Sequence, residues 1–144
     1  MNIEQIPSRL GSKQIWEKHS DSWWLVDAGL DVRGMAQLMI EEMPEEARLV
    51  TITARPAPDG ECRLAYHWDL AGQLLTLVTI THKGSIPSIA ALCPAANWIE
   101  REIYDYFAVE FSGHQDLRPL VLRPGDAPGL FYANGANGQP GEKK

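Results

Sequence analysis

The feature that most constrains the fold is the run of residues 61–69, in which bulky apolar side chains occupy every second position. In an extended chain, every second side chain points to the same face. One face therefore carries Cys62, Leu64, Tyr66 and Trp68, and the other carries Arg63, Ala65, His67 and Asp69. This pattern predicts a strand that covers a core on one side only, as strands of antiparallel sheets commonly do.

The segments on either side of this run predict two partner strands. Residues 49–55 and 73–82 are rich in Leu, Val, Ile and Thr, which is the composition of strands. The first link, residues 56–60, reads Pro-Ala-Pro-Asp-Gly, and the second contains Gly72. Because these residue types favour tight turns, the three segments are predicted to form an antiparallel meander.

Upstream of the meander, the sequence predicts two helices and one strand. Ser12 can cap a short helix over residues 12–19. The apolar run 23–26 is expected to be a buried strand that enters a turn. Asp31 opens a second helix, which Pro44 ends. The apolar stripe of this helix consists of Met35, Leu38, Met39 and Met43.

Downstream, residues 95–107 have the apolar period of a helix, and an extended stretch begins at Val109. At the helical period, an arc of about 120° contains Ala95, Ala96, Ile99, Ile103, Tyr106 and Phe107. This arc is the predicted buried face. Glu100 and Glu102 fall at its opposite borders, where both carboxylates are expected to be half desolvated.

The order of these elements predicts an α+β fold of two layers, with a mixed, mostly antiparallel sheet packed against helices. Residues 1–123 are expected to form a single domain, since no repeat or long polar linker divides them. In residues 124–144, eight of 21 positions are Pro or Gly. Such a segment can build little core, so we expect a flexible tail there.

Charge and cysteine content exclude several classes of protein. The net charge of -6 opposes binding to nucleic acid. No apolar stretch is long enough for a membrane span, and the N-terminus lacks the pattern of a secretory leader. We therefore expect a cytoplasmic protein without direct membrane insertion. The two cysteines, Cys62 and Cys93, cannot supply the four thiolates of an iron-sulfur cluster.

The cluster of acidic residues in the predicted helix 95–107 has two interpretations. Paired carboxylates can act as general acid and base, but Glu100 and Glu102 lie about 160° apart around a helix. Glu102 and Asp105 share a side but repel each other, so they would need Arg101 or Arg118 as a partner. A structural or interfacial ion network is the interpretation that we favour over catalysis.

Three polar residues, His114, Asp116 and Arg118, follow Gly113 at a spacing of two. In a strand all three would lie on one face. A metal site would need a further carboxylate or histidine nearby. A cluster of loop hydrogen bonds is therefore the favoured interpretation.

The run from Ala96 to Arg118 reads ANWIEREIYDYFAVEFSGHQDLR. It resembles the signature of the 30-kilodalton subunit of complex I, the NADH:quinone oxidoreductase. The Tyr-His pair at residues 66–67 and the Pro-Ser-Ile run at residues 87–89 are also similar to that family, so the resemblance covers roughly residues 45–123. The residues that carry the motif are Trp98, Glu100, Arg101, Glu102, Asp105, Phe107, Gly113, His114, Asp116, Leu117 and Arg118.

The resemblance implies a noncatalytic subunit of the peripheral arm that carries no cofactor and no metal. Its partners would be the large subunit, of the 49-kilodalton or NiFe type, and the iron-sulfur subunits of the same complex. Through that complex it would sit at the inner face of the cell membrane. Within the chain, the resemblance suggests that Glu100, Arg101, Glu102 and Asp105 hold the last helix against residues 114–118.

The sequence departs from the family signature in ways that leave alternatives open. Ala108 replaces the usual Gly, Gln115 the usual Pro and Pro119 the second Arg. If that Gly marks a backbone with positive φ, Ala108 would be strained, so a different local turn is expected. Residues 51–55, Thr-Ile-Thr-Ala-Arg, stand where complex I members have other motifs.

These departures resemble the divergent members found in membrane-bound NiFe hydrogenases and formate hydrogenlyase. An accessory subunit of such a complex is therefore an alternative. A remoter alternative is a stand-alone acid/base enzyme that uses Glu102, Asp105 and His114. A regulatory binding module is a third.

Overall fold

The computed structural model describes residues 2–133. Its main sheet has five strands in the order β1-β2-β5-β4-β3. The bounds are β1 Glu17–His19, β2 Ser22–Val26, β3 Ala47–Pro56, β4 Cys62–Leu70 and β5 Gln73–Ile80. The predicted meander is confirmed, because β3, β4 and β5 pair antiparallel in sequence order. The sheet is mixed, since β2 pairs parallel with β5.

The alternation in β4 divides the sheet into two different faces. Its even-numbered residues, from Cys62 to Leu70, are all buried, whereas the odd-numbered ones are partly exposed. The turn before β4 needs positive φ at Asp59 and Gly60, and the turn after it needs positive φ at Ala71 and Gly72. The turn chemistry predicted for both links is therefore present.

Two helical segments precede the meander. A short 3-10 turn, Ile3–Gln5, leads into α1, Ile6–Arg9. Helix α2 covers Val32–Gln37 and continues as a π-helical turn, Leu38–Glu42. As predicted, Asp31 caps α2, and its side chain accepts a hydrogen bond from the Gly34 amide at 2.9 Å.

The predicted helix over residues 12–19 is wrong. The chain leaves α1 through Gly11, at φ 71°, and reaches β1 at Glu17. Pairing of β1 with β2 places Lys18 opposite Trp23. Only two apolar residues, Ile15 and Trp16, were available to anchor a helix there, and strand pairing with β2 takes precedence.

The last third of the described chain builds the region that carries the motif. Helix α3 covers Ala96–Phe107, close to its predicted range. The strands β6, Ser85–Pro87, and β7, Glu110–Ser112, form a separate parallel pair on either side of it in the chain.

The predicted tail begins within the described residues. A short helix, α4, covers Leu130–Ala133, and the Phe131 ring lies 4.9 Å from the Phe107 ring. The part of the predicted tail at 134–144 lies outside the described residues.

One continuous core joins these elements. It contains Leu25 and Met39 from the first half, Trp68 and Leu77 from the sheet, and Ile103 from α3. No helix within residues 2–133 is long and apolar enough to cross a membrane. The two-layer α+β arrangement agrees with the prediction.

Candidate interaction site

Helix α3 ends in a left-handed residue. Ala108 has φ 58° and ψ 30°, and its amide donates to the Tyr104 carbonyl at 2.8 Å. The expectation of a different local turn is therefore wrong, because alanine adopts the conformation that usually calls for glycine. That conformation costs a residue with a Cβ about 1–2 kcal/mol.

Glu100 occupies the centre of the helix and is fully buried. Its Oε1 accepts a hydrogen bond from the Ser88 hydroxyl at 2.6 Å, and its Oε2 accepts one from the Ile89 amide at 2.8 Å. Burial raises the pKa of this carboxyl, and the two hydrogen bonds oppose that rise. The predicted half-desolvated position of Glu100 is wrong. The carboxylate anchors the loop after β6 to the middle of α3.

His114 closes the same cluster from the other side. Its side chain is fully buried, with Nε2 3.8 Å from Glu100 Oε1 and 3.3 Å from the Asn97 carbonyl oxygen. Nδ1 accepts a hydrogen bond from the Asp116 amide at 3.0 Å. A ring nitrogen that accepts carries no proton, so a proton on Nε2 faces Asn97 and Glu100.

His114, Asp116 and Arg118 lie in a loop and not in a strand, and their hydrogen bonds agree with the favoured interpretation of a loop cluster. Strand β7 ends at Ser112, and Gly113, at φ 85°, turns the chain into a loop. His114 points into the protein, whereas Asp116 and Arg118 form an exposed ion pair with each other. Leu117, between that pair, packs against the core.

Two further side chains of α3 bind the backbone that follows this loop. The Arg101 guanidinium donates to the carbonyl oxygens of Arg118 and Pro119, at 3.0 and 3.2 Å. Asp105 Oδ2 accepts from the amides of Leu120 and Val121, at 2.8 and 2.6 Å. Asp105 is fully buried, and its Oδ1 has no hydrogen-bond partner among the described residues.

Glu102 does not join this network. It is exposed, and among residues 2–133 it makes no hydrogen bond or ion pair. Its predicted half-desolvated position is therefore wrong as well. Within the described chain, no hydrogen bond links the three groups of the proposed acid/base set, Glu102, Asp105 and His114, to one another.

Helix α3 also carries exposed apolar side chains. Trp98 is 67% exposed and Tyr106 is 37% exposed. Val121, in the segment that Asp105 binds, is 43% exposed. Tyr106 and Ala95 were both predicted to be buried. Both are exposed, so these two predictions are wrong. Phe107 is only partly buried and packs against Phe131 and Tyr132 of α4.

Several partners in this region were missed by sequence reasoning. The Ser88 hydroxyl and the amides of Ile89, Leu120 and Val121 complete the network. The only signal was the Pro-Ser-Ile run before the helix, and backbone amides have no sequence signature. In the part of the chain that the structure describes, no group of three or more His, Cys, Asp or Glu side chains is arranged to hold a metal ion.

Comparison with known proteins identifies the family to which the chain is similar. The family model of the respiratory-chain NADH dehydrogenase 30 Kd subunit matches residues 31–130. The C-subunit of NADH-quinone oxidoreductase from Jannaschia sp. is 31% identical over 126 residues, which cover 73% of this chain and 59% of that protein. The chain therefore spans less than two thirds of this relative, and a smaller share of seven further curated relatives.

Two solved structures share the fold. A chain of the membrane-bound sulfane sulfur reductase, an archaeal respiratory membrane complex, superposes with a TM-score of 0.68 and 21% identity, covering 91% of this chain and 79% of that one. A trypsin-resistant fragment of Nqo5 gives a TM-score of 0.55 and 22% identity, covering 81% and 99%. Because the family model matches more than half of its length, the chain belongs to the family of the 30 kDa subunit of respiratory-chain NADH dehydrogenase.

Proposed function

We propose that this chain is a noncatalytic peripheral-arm subunit of a complex I-type membrane redox complex. It docks on the large subunit of the quinone-site or NiFe type and thereby supports electron transfer. The observation that carries the proposal is the exposure of Trp98, 67%, on a helix that the buried hydrogen bonds of Glu100 and Asp105 fix in place. Large exposed aromatic side chains on a rigid element are typical anchors of protein interfaces.

The different contacts of the motif residues support this proposal. Glu100 and Asp105 bind the chain before and after α3, so the helix is held on both sides. Trp98 and Tyr106 lie eight residues apart on the same side of α3, and Val121 extends the apolar surface beyond the helix. A preorganised surface loses little conformational entropy when a partner binds.

The proposal extends to the setting of the chain. Its further partners are the iron-sulfur subunits of the same complex, and it contributes no cofactor of its own. The complex places it on the cytoplasmic side of the cell membrane, at the inner face. The name of the relatives, which are C-subunits of NADH-quinone oxidoreductase, supports this assignment.

The experiment is an affinity purification of the tagged chain from native membranes, with identification of the co-purifying chains and their metals. Iron-sulfur proteins with a flavin-containing, NADH-oxidising subunit are expected. Absence of any stable partner would overturn the proposal and favour a stand-alone enzyme or a regulatory module, as would turnover of a small molecule by the isolated chain.

A variant pair locates the docking surface. Trp98→Ala is expected to lower recovery of the large subunit at least tenfold, since removal of a central aromatic anchor commonly costs about 2 kcal/mol or more. The matched control is Ile15→Ala, which removes another exposed apolar side chain, at 81% exposure, far from α3 in the chain. Equal recovery with both variants would place the interface elsewhere.

The second candidate function is an accessory subunit of a membrane-bound NiFe hydrogenase or formate hydrogenlyase. It is favoured by residues 51–55, which stand where complex I members have other motifs, together with the departures at Ala108, Gln115 and Pro119 from the complex I signature. The same purification separates the two candidates, because nickel and a hydrogenase large subunit would replace the NADH-oxidising subunit.

A further inference from the structure

The face of the main sheet that the helices leave uncovered contains two adjacent arginines. Arg55 in β3 and Arg63 in β4 are directly opposite each other in the antiparallel register. Opposed residues of neighbouring strands have Cβ atoms about 5 Å apart, and like charges at that distance repel. Neither guanidinium makes an ion pair or hydrogen bond within residues 2–133.

Several other surface arginines of the chain have acidic partners. Arg48, on the same strand as Arg55, pairs with Asp69 at 2.7 Å. Arg123 pairs with Asp126, at 3.2 Å. In a chain with a net charge of -6, two adjacent cations without a carboxylate are an unusual local concentration of positive charge. Folding therefore leaves a repulsion that a bound anion would relieve.

The surroundings of the pair form a groove with a mixed lining. A shallow depression of about 370 Å³ is bordered by both arginines together with Trp24, Thr53, His67 and Val78. A second depression continues it past Val26, Ala28 and Pro56. His67 is held between the hydroxyls of Thr53 and Thr76, each 3.0 Å from a ring nitrogen. The groove thus has an apolar floor, fixed polar walls and, where its two depressions meet, the two cations.

We propose that this groove, bordered by Arg55 and Arg63, is a docking site for an acidic segment of a partner polypeptide. Carboxylates of the segment accept hydrogen bonds from both guanidiniums, and a neighbouring apolar side chain rests on Val26, which is 45% exposed. Arginine pairs favour carboxylate because the planar guanidinium can donate two parallel hydrogen bonds. The groove lies on the sheet face opposite the core, so this contact is additional to the proposed docking through α3 and does not depend on it.

The test is a fluorescence-polarisation titration of the whole chain with a labelled peptide of six glutamates around one phenylalanine, at about 0.15 M salt, where exposed long-range attraction is largely screened. Wild type is expected to bind. The double variant Arg55→Gln/Arg63→Gln is expected to bind at least tenfold more weakly. Removing the opposed charges relieves repulsion, so this variant is expected to fold, which far-UV circular dichroism checks.

The matched control is Arg48→Gln/Arg123→Gln, which removes two arginines and the same net charge elsewhere on the surface. It is expected to bind within twofold of wild type. If both double variants bound the peptide equally weakly, the peptide would be attracted by net charge alone, and the proposal would be overturned. Absence of wild-type binding would overturn it too. Displacement of the peptide by inorganic phosphate at the same concentration of charge would indicate a site for small anions instead.

Discussion

Burial separates the acidic residues of the motif into different roles. Glu100 and Glu102 are two positions apart in a run of alternating charge, yet one is fully buried and the other exposed. The difference comes from their partners, since Ser88 and Ile89 supply two donors to Glu100. A buried carboxylate is tolerated only where such donors exist. Glu102 faces solvent, where none is needed.

The pKa of Glu100 predicts how stability changes with pH. Burial raises this pKa above its ordinary value of 4.5, so folding favours the protonated form. The stability that the group contributes is therefore present below that ordinary value and is lost as pH rises through the folded pKa. The free energy of unfolding of wild type, minus that of Glu100→Gln, should fall across this range. Urea unfolding of both proteins between about pH 4 and pH 8 measures it.

The groups near Glu100 either oppose the effect of burial on its pKa or are uncharged. His114, at 3.8 Å, favours the ionised carboxylate, while Tyr66 and Cys93 are uncharged neighbours whose own pKa values burial raises. If the difference in unfolding free energy rose with pH instead, the hydrogen bonds and His114 would outweigh burial.

Ala108 offers a second prediction for a single residue. Glycine at this left-handed position removes a strain of about 1–2 kcal/mol. It also raises the conformational entropy of the unfolded chain, which lowers the free energy of unfolding by up to about 1 kcal/mol. Ala108→Gly should therefore stabilise the protein by about 0.5–1 kcal/mol in urea unfolding. Ala57→Gly, at φ -122°, is the control and should destabilise it, because no strain is relieved there. Equal effects of the two substitutions would contradict the assigned strain.

At the scale of elements, Asp105 links α3 to the segment that follows the His114 loop. Asp105→Ala removes the acceptor of two backbone amides, those of Leu120 and Val121. Since each of the two lost bonds to a carboxylate costs about 1.5–3 kcal/mol, we expect a destabilisation of about 3–6 kcal/mol. Hydrogen exchange should become faster at these two amides in particular.

A reference amide and a control variant make this measurement specific. The Gly129 amide donates to the backbone carbonyl of Asp105, which the substitution leaves in place, so its exchange should change less. Asp126→Ala, which removes the partner of exposed Arg123, should cost less than about 1 kcal/mol. Uniform acceleration at all three amides would mean that Asp105 supports the whole fold rather than this segment.

Local patterns predicted some elements well and others not at all. The range of α3 and the meander were predictable because periodicity and turn residues act over short distances, as at Gly72. The buried face of α3 was predictable in part, since Ala96 and Ile103 are buried as predicted, whereas the burial of Glu100 depends on donors from the loop after β6. The supposed helix over residues 12–19 failed because β1 forms through pairing with β2. The network around Asp105 rests on backbone amides, which no side-chain pattern reveals.

At the scale of the whole molecule, one core joins the sheet to α3. Leu77 is fully buried in the central strand β5, and Ile103 is buried on α3, and both belong to the same continuous cluster. A shared core makes the unfolding of one element unfavourable without the other. The long-range pairing of β2 with β5 reinforces this coupling, because it ties the first third of the chain to the middle.

Leu77→Ala and Ile103→Ala should therefore lower the stability of the same transition. Each removes a buried side chain and should cost about 2–5 kcal/mol, depending on how far the cavity collapses. Thermal or urea unfolding followed by far-UV circular dichroism and by tryptophan fluorescence, with Trp68 reporting from the core, should give coincident curves for both variants. If Ile103→Ala instead split the curve in two, α3 and its loops would unfold separately from the sheet, and the surface around Trp98 would be held by local contacts alone.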